Sequence, residues 1–327
     1  GELPQAIFDN NLCPANENVY RFLDDVIKEV AELFPFPYIH MGGDETSTNY
    51  WEKSAAVSSL MQRENLQDMH AVQGYFSKRV KALVEKNGKE FMGWDEILTG
   101  GLPSDAAVMA WRKPEKGIEA SLKKHKVVMT PFTHTYLDLM QADAITEVPV
   151  YKEVRLNKAY QFEPIPEGAN TEQIMGGQAN LWTEQVYNIR QAEYMTWPRA
   201  MAISESLWSA KETKNWPGFV SRVEKHFDRL DVSETKYARS VYDPIFSVSK
   251  SSGGQIQVSL STEIDGLDIY YSFDNSFPDR FYPKYTQPLN PPSDATLLRV
   301  ITYRGKQPVG RMQNMPVDEL MKRAGKK

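Results

Sequence analysis

Hydrophobic residues in the first 240 positions alternate between two spacings. Apolar side chains recur every three to four residues over 17–34, which predicts an amphipathic helix that ends before Pro35 and Pro37. Residues 38–41 form a short apolar run closed by two glycines, which is typical of a buried strand. The same alternation predicts further helices over 67–87 (ending at Gly88), 114–124, 192–209 and 216–230. It also predicts further strands over 90–94, 107–111 and 127–130, and a fifth strand within 173–182.

This alternation of strands and helices predicts βαβ units, a parallel sheet and the α/β class. Parallel α/β folds place their active sites at the carboxyl ends of the strands, where this sequence has its chemically reactive residues. The long, proline-containing segment 131–172 predicts a functional loop or one wall of a site. The strand-end residues are Asp44, Glu45, Trp94, Asp95, Glu96, Trp111, Arg112, Tyr136, Asp138, Trp182 and Glu184.

The pattern changes near residue 240. Period-two alternation predicts half-buried antiparallel strands, which are separated by turn residues. We therefore predict an α/β domain over 1–238 and a small antiparallel β module over 239–327. The lysine-rich end, residues 322–327, is predicted to be frayed and solvated. The predicted strands of the module are 255–260, 268–273 and 297–303, and the turn residues are 251–254 and 291–293.

Composition excludes several classes of function. The 327 residues contain 38 Lys and Arg against 43 Asp and Glu, so no basic field attracts phosphates and no nucleic-acid partner is predicted. No apolar run approaches the roughly 18 residues of a membrane span, and residues 1–5 lack the regions of a signal peptide. The single cysteine, Cys13, cannot form an internal disulfide.

The strongest local signal is the segment from His40 to Glu45 at a strand end. Adjacent side chains of a strand point to opposite faces, so Asp44 and Glu45 share a pocket only if Gly42 and Gly43 twist the chain. Two neighbouring carboxylates repel each other, which favours the protonated Glu that a general acid requires. The alternative is an Asp-Glu pair at a helix N-terminus.

Three tryptophans at strand ends, Trp94, Trp111 and Trp182, predict an apolar box that holds a sugar ring and excludes water. A single buried Trp is more often part of a core. Tyr136, Asp138 and Glu184 would supply the hydrogen bonds that fix the ligand's orientation. We interpret His40 as a core group or as an orienter of a neighbouring carboxylate. The histidines and glycines show no metal-ligand or nucleotide-binding spacing, so no cofactor is predicted.

These residues resemble the β-N-acetylhexosaminidases of family 20 of the glycoside hydrolases, which are (β/α)8 TIM-type barrels. The resemblance covers about residues 1–235, and the stretch 269–289 resembles the chitobiase C-terminal β domain, a β-sandwich. The matching stretches are 12–17, 38–45, 93–96, 108–112, 130–131, 136–138 and 177–184.

The resemblance implies a retaining, substrate-assisted reaction in which the acetamido oxygen of the substrate is the nucleophile and an oxazolinium forms. It implies that Glu45 is the general acid and base, that Asp44 orients the acetamide, and that Tyr136 hydrogen-bonds the acetamide carbonyl. Trp94, Trp111 and Trp182 would form the walls of the subsite, and Asp138 and Glu184 would bind the sugar or its acetamide surroundings. The implied partner is a glycan with terminal N-acetylhexosamine, without a cofactor or metal.

One departure concerns the strand count. Only five strands are predicted before the β module, whereas a closed barrel needs eight. We therefore expect strands 4–8 of the barrel, in a C-terminal fragment that lacks an arginine and a histidine of the family's first strands. Exposed sheet edges would favour self-association, and the activity of the fragment alone stays open. The family implies a periplasmic or extracellular location.

Two other functions remain open at this stage. In the first, the tryptophans and the β module bind glycans without turnover. In the second, His40, Asp44 and Glu45 hold a metal ion for hydrolysis. Glu45→Gln separates an enzyme from a binding protein, because only an enzyme has turnover to lose.

Overall fold

The computed structural model describes residues 11–101, 103–250 and 254–325. These residues form two compact units. The first contains the described residues up to Phe132 together with Pro164–Gln178, and the second contains Thr133–Glu163 and the described residues from Ala179 onward. Residues 1–5 and the turn residues 251–253, which carried sequence predictions, lie outside the described residues. Among the described helices, none combines the length and the hydropathy that crossing a bilayer requires.

The first unit is built on a parallel sheet of five strands. The strands pair in the order in which they occur along the chain, so that the first and the last lie at the edges. All five predicted strands are present, and the last lies within the predicted stretch 173–182. The strands are β1 (Tyr38–His40), β2 (Glu90–Trp94), β3 (Ala107–Ala110), β4 (Val127–Met129) and β5 (Ile174–Gly177).

Helices of the first unit begin and end at the residues that favour such positions. The side chain of Asn16 accepts a hydrogen bond from the backbone N–H of Asn18, and that of Asp68 accepts one from Ala71 at 2.8 Å. Gly88 follows the predicted 67–87 helix with φ +71°, as expected for a C′ glycine. The helices are α1 (Glu17–Leu33), α2 (Asn49–Glu52), α3 (Ala55–Glu64), α4 (Met69–Lys86) and α5 (Pro114–Leu122); α2 and α3 were not predicted.

One close backbone contact fixes the segment after β2. This segment, Asp95–Gly100, is a 3₁₀ helix that packs on α4 through Gly74 and Gly100. A Cβ atom on Gly74 would lie 2.3 Å from the carbonyl oxygen of Gly100, and one on Gly100 would lie 2.4 Å from the Cα atom of Gly74, so both positions require glycine. The glycine pair therefore holds Asp95 and Glu96 at the carboxyl end of the sheet.

The second unit contains a helical part. The single predicted helix over 192–209 is in fact two helices, because Pro198 has no backbone N–H to continue the ladder. The predicted helix 216–230 is present. The helices are α6 (Phe132–Thr135), α7 (Leu156–Tyr160), α8 (Ile189–Thr196), α9 (Arg199–Trp208) and α10 (Trp216–Val232). The first residue of α6, Phe132, belongs to the first unit.

The second unit also contains antiparallel strands. β6 pairs with β7, and β9 pairs with β8, β10 and β11. The three predicted strands are β7, β8 and β9 within one or two residues. The strands are β6 (Ile245–Lys250), β7 (Ile256–Ser261), β8 (Asp268–Ser272), β9 (Leu297–Arg304), β10 (Gln307–Pro308) and β11 (Gln313–Pro316).

The predicted frayed end is wrong for residues 322–325. These residues belong to α11 (Val317–Gly325), whose Leu320 is fully buried in the core formed by Val258, Leu298 and Met315. The guanidinium of Arg323 donates to both carboxylate oxygens of Asp143, at 2.6 and 2.8 Å. One buried leucine and one bidentate ion pair thus order this segment despite its lysines.

Candidate active site

Two glycines twist the chain at the end of β1, as the sequence predicted. Gly42 has φ +73° and Gly43 has φ +97°, and the carbonyl of Gly42 accepts a hydrogen bond from the N–H of Trp94 at 2.9 Å. The side-chain amide of Gln73 donates to the carbonyl of Gly43 at 2.8 Å. A Cβ on Gly43 would lie 2.9 Å from the Ile97 side chain. The loop that carries the two carboxylates is therefore fixed through its backbone.

Asp44 and Glu45 are both exposed to solvent. Glu45 has φ +44°, a left-handed conformation that is uncommon for a residue with a side chain and that often marks a functional site. Asp44 also lines a cavity of about 330 Å³ together with Gly42 and Gly43. The helix-terminus alternative is wrong, because the next helix begins only at Asn49 and its N-cap residue is Thr48.

His40 interacts with the loop and with a tryptophan. Its Nδ1 accepts a hydrogen bond from the N–H of Gly42 at 3.1 Å, which leaves the proton of the neutral ring on Nε2. Its ring meets Trp94 edge to face, with centroids 4.7 Å apart. Loss of ring hydration lowers the pKa of His40, and the nearby Asp44 acts in the opposite direction. His40 thus helps to order the loop.

Trp111 is held by the two acidic residues that follow β2. Its indole N–H donates to the carboxylate of Glu96 at 3.0 and 3.2 Å, and its backbone N–H donates to Asp95 at 3.0 Å. Asp95 is fully buried and also accepts hydrogen bonds from the backbone N–H and the guanidinium of Arg112. Desolvation raises the pKa of Glu96, and the bond from Trp111 opposes that rise. The indole is therefore held by a charged acceptor.

In the second unit, Tyr136 is buried. Its ring meets Trp182 edge to face with centroids 6.0 Å apart, and hydrogen bonds to its hydroxyl come from Trp182 and Asn180. Burial raises the pKa of Tyr136, and these bonds act in the opposite direction. The N–H of Leu137 donates to the carbonyl of Asn180 at 2.7 Å. The tyrosine hydroxyl is therefore fixed and stays protonated at neutral pH.

Asp138 is half-buried, and its Oδ1 atom has no hydrogen-bond partner among the described residues. Desolvation raises its pKa and the charge of Glu184 acts in the same direction, whereas backbone N–H groups and Arg199 lower it. A buried carboxylate oxygen without a partner is an acceptor that a ligand hydroxyl could satisfy. Trp182, which is 40% exposed, and Glu184 are accessible to solvent.

The predicted residues thus lie in two groups. The first unit holds Asp44, Glu45, Trp94 and Trp111 at the ends of its first three strands, and the second unit holds Tyr136, Asp138, Trp182 and Glu184. Sequence reasoning gave no role to Gln73, Asp95, Glu96, Asn180 and Arg199, which hold these residues in place. The position of Asp95 and Glu96 beside Trp94, and of Asn180 beside Trp182, was the available signal. Within the described ranges, no group of three or more His, Cys, Asp or Glu side chains is arranged to bind a metal ion.

Two family models match the chain. The one described as "Glycosyl hydrolase family 20, catalytic domain" matches residues 3–211, which include every predicted site residue. The one described as "Fn3 associated" matches residues 258–313, which include β8 and β9. The first match covers more than half of the chain.

Relatives with assigned names agree with the first family. A Porphyromonas gingivalis protein named beta-hexosaminidase is 33% identical over 309 residues, which are 92% of this chain and 40% of that protein. A Vibrio furnissii protein of the same name is 34% identical over 205 residues, which are 61% of this chain and 34% of that protein. The chain therefore spans well under half the length of these relatives.

Solved structures also agree. The family 20 exo-β-N-acetylglucosaminidase of Vibrio harveyi, in complex with N-acetylglucosamine, matches 69% of this chain and 37% of its own, with TM-score 0.65 and 33% identity. The family 20 β-N-acetylhexosaminidase of Streptomyces coelicolor matches 70% of this chain and 45% of its own, with TM-score 0.59 and 26% identity. These neighbours support the predicted TIM-type barrel domain. On this family match, relatives and fold, the chain belongs to glycosyl hydrolase family 20.

Proposed function

We propose that this chain is part of an exo-acting β-N-acetylhexosaminidase, a retaining enzyme that releases terminal β-linked N-acetylhexosamine from glycans through an oxazolinium intermediate. The observation that carries the proposal is the 33% identity to a protein named beta-hexosaminidase over 92% of the chain. Glycan binding without turnover is not favoured, because the relatives are named as hydrolases.

The fold of the proposed enzyme is a (β/α)8 barrel, of which β1–β5 are strands 4–8. We place the barrel in residues 1–238 and a β-sandwich in 239–327. Parallel pairing of β1–β5 in chain order and antiparallel pairing of β6–β11 support this division. The edge positions of β1 and β5, with the exposed Phe22 and Leu33 of α1, support self-association of the isolated chain.

In the proposed reaction, Glu45 protonates the leaving oxygen and then activates water. Asp44 accepts a hydrogen bond from the acetamide N–H, and Tyr136 donates one to the acetamide carbonyl, whose oxygen attacks the anomeric carbon. The exposure of Glu45 and Asp44 on a fixed loop supports these roles, since both carboxylates are accessible to a sugar. The raised pKa of Tyr136 supports its role as a donor.

The proposed substrate-binding residues are Trp94, Trp111, Trp182, Asp138 and Glu184. The tryptophans would contact the apolar faces of the sugar ring and its acetamide methyl group. The unpartnered Oδ1 of Asp138 supports a bond to a sugar hydroxyl. No cofactor takes part in the proposed reaction. A periplasmic or extracellular location remains a prediction from the family.

The test is release of 4-nitrophenol from 4-nitrophenyl β-N-acetylglucosaminide, by this chain and by a form extended upstream. We expect Glu45→Gln to lower kcat by about 10²- to 10⁴-fold while sugar binding persists, because a general acid contributes about that much. Glu29→Gln, which changes an exposed carboxylate of α1, is the matched control and should leave kcat unchanged. Sugar binding without turnover in the extended form would favour the binding protein.

A further inference from the structure

We propose that Arg199 is a positioning residue that aims the carboxylate of Asp138 at the substrate. The inference rests on the proposed function, in which Asp138 binds a sugar hydroxyl. Arg199 is the first residue of α9 and is fully buried. It lies in the same unit as Asp138.

Among the described residues, the guanidinium of Arg199 donates to four backbone carbonyl groups. Nη1 donates to Leu139 at 2.8 Å and to Val154 at 3.0 Å. Nη2 donates to Leu137 and to Met195, the latter at 2.8 Å. The carbonyls of Leu137 and Leu139 belong to the residues on either side of Asp138. One rigid planar group thus fixes the peptide groups around Asp138, and with them the direction of its Cα–Cβ bond.

The same segment is held from its amide side by other groups. The N–H of Leu137 donates to Asn180 at 2.7 Å, and the N–H of Met140 donates to Lys152 at 3.1 Å. Arg199 supplies the bonds to the carbonyl side. The backbone of the segment is thus held on both sides. The Oδ1 atom of the Asp138 side chain, in contrast, has no hydrogen-bond partner among the described residues.

The charge of Arg199 is costly in this environment. Burial lowers its pKa to about 10, so it remains positively charged at neutral pH. Its Nε atom has no hydrogen-bond partner among the described residues, and the carboxylates of Glu147 and Asp138 act on it through their charges. An apolar side chain at this position would leave four carbonyl groups without these donors, which destabilises the fold when such groups are buried. Besides this structural role, Arg199 has the positioning role proposed for Asp138.

That role is electrostatic as well as geometric. Desolvation and the charge of Glu184 favour the protonated form of Asp138, whereas Arg199 favours the ionised form. An ionised carboxylate accepts a stronger hydrogen bond from a sugar hydroxyl than a neutral one. Arg199 thus acts on Asp138 through the peptide geometry and through its charge, without touching the substrate.

The first measurement is the pH titration of the Asp138 carboxyl carbon by NMR in this chain, assigned with Asp138→Asn. We expect Arg199→Gln to raise the titration midpoint by about one pH unit, and Arg199→Lys, which keeps the charge, to restore most of it. The matched control is Arg155→Gln, which removes another largely buried arginine of the unit, one that pairs with Glu153. It should lower the melting temperature without moving the midpoint.

The second measurement is the affinity for N-acetylglucosamine by calorimetry, with KM and kcat in whichever form is active. We expect Arg199→Gln to weaken binding about tenfold and to raise KM more than it lowers kcat. A folded Arg199→Gln variant with an unchanged midpoint and affinity would overturn the inference. If Arg199→Gln does not fold, Arg199→Lys decides: about threefold weaker binding supports the inference, and unchanged binding overturns it.

The two proposals fail differently. If the unsubstituted protein neither binds nor cleaves the sugar, the proposed function fails, yet a raised midpoint in Arg199→Gln still supports the action of Arg199 on Asp138. If the sugar is cleaved normally by a folded Arg199→Gln variant with an unchanged midpoint, the function stands and the inference fails.

Discussion

The two units present some of their proposed site residues in opposite ways. In the first, Asp44 and Glu45 stand exposed on a loop whose backbone is fixed by Gly42 and Gly43. In the second, Tyr136 is buried and Asp138 half-buried, and both have raised pKa values. The comparison shows two sources of precision: backbone conformation where the side chains need access to solvent, and burial with hydrogen bonds where they need a fixed direction.

Substitution of Gly43 tests whether backbone conformation positions the two carboxylates of the first unit. Gly43→Ala would place a Cβ atom 2.9 Å from Ile97 on a backbone with φ +97°. We expect destabilisation by about 1–3 kcal/mol and, because the loop must shift, a loss of hydrolysis of about 100-fold or more. Denaturant unfolding and 4-nitrophenol release measure the two effects.

Gly88→Ala is the matched control for that loop. Gly88 has φ +71°, but a Cβ there would meet nothing within 4 Å. We expect about 1 kcal/mol of destabilisation from backbone strain, with unchanged activity. Equal activity losses in the two alanine variants would show that general destabilisation, rather than the loop geometry, controls catalysis.

The second difference predicts that a buried carboxyl group of the second unit makes stability depend on pH. The Glu263 carboxyl is buried. Its Oε2 lies 3.9 Å from Nη1 of Arg155 but has no hydrogen-bond partner among the described residues, and its Oε1 accepts the N–H of Asn157 at 2.8 Å. Burial raises its pKa from 4.5 to about 7. The folded protein therefore binds this proton more tightly than the unfolded chain, and stability falls as pH rises from about 4.5 to 7.

Glu263→Gln should remove that fall. The amide keeps an acceptor for Asn157 and has no charge to bury, so we expect up to about 3 kcal/mol more stability at pH 7 and little change at pH 4. Glu212→Gln, at an exposed position, should leave the pH profile unchanged. Urea unfolding between pH 4 and 8 measures both. A Glu263→Gln profile parallel to that of the unsubstituted chain would contradict the raised pKa.

The comparison also shows which features the sequence could predict. The strands β1–β5 and the twist at Gly42 and Gly43 follow from local patterns, and local patterns determine them in the structure. The break at Pro198 was visible in the sequence but was overridden by the apolar periodicity around it. The order of α11 depends on Leu320 meeting Leu298 and Val258, which are 22 and 62 positions away, and no local pattern records such contacts.

The residues that hold the site in place could not be predicted from the sequence for the same reason. Arg199 lies 61 positions from Asp138, and Gln73 lies 30 positions from Gly43. Both residues act through hydrogen bonds to backbone carbonyl groups. Every residue has a carbonyl group, so the identity of the accepting residue does not reveal the bond. Motif reasoning identifies residues that face a substrate more readily than residues that face the backbone.

The smallest expected effect concerns Trp111 and its acceptor in the first unit. Glu96→Gln keeps an oxygen for the indole N–H but removes the negative charge that faces Trp111 and Arg112. A bond to a charged acceptor contributes about 1 kcal/mol more than a neutral one, so we expect KM to rise about fivefold with little change in kcat. Glu115→Gln, an exposed position on α5, is the control. An unchanged KM in folded Glu96→Gln would mean that packing alone orients Trp111, and the first unit would then position its aromatic wall without charge, as it positions its catalytic loop.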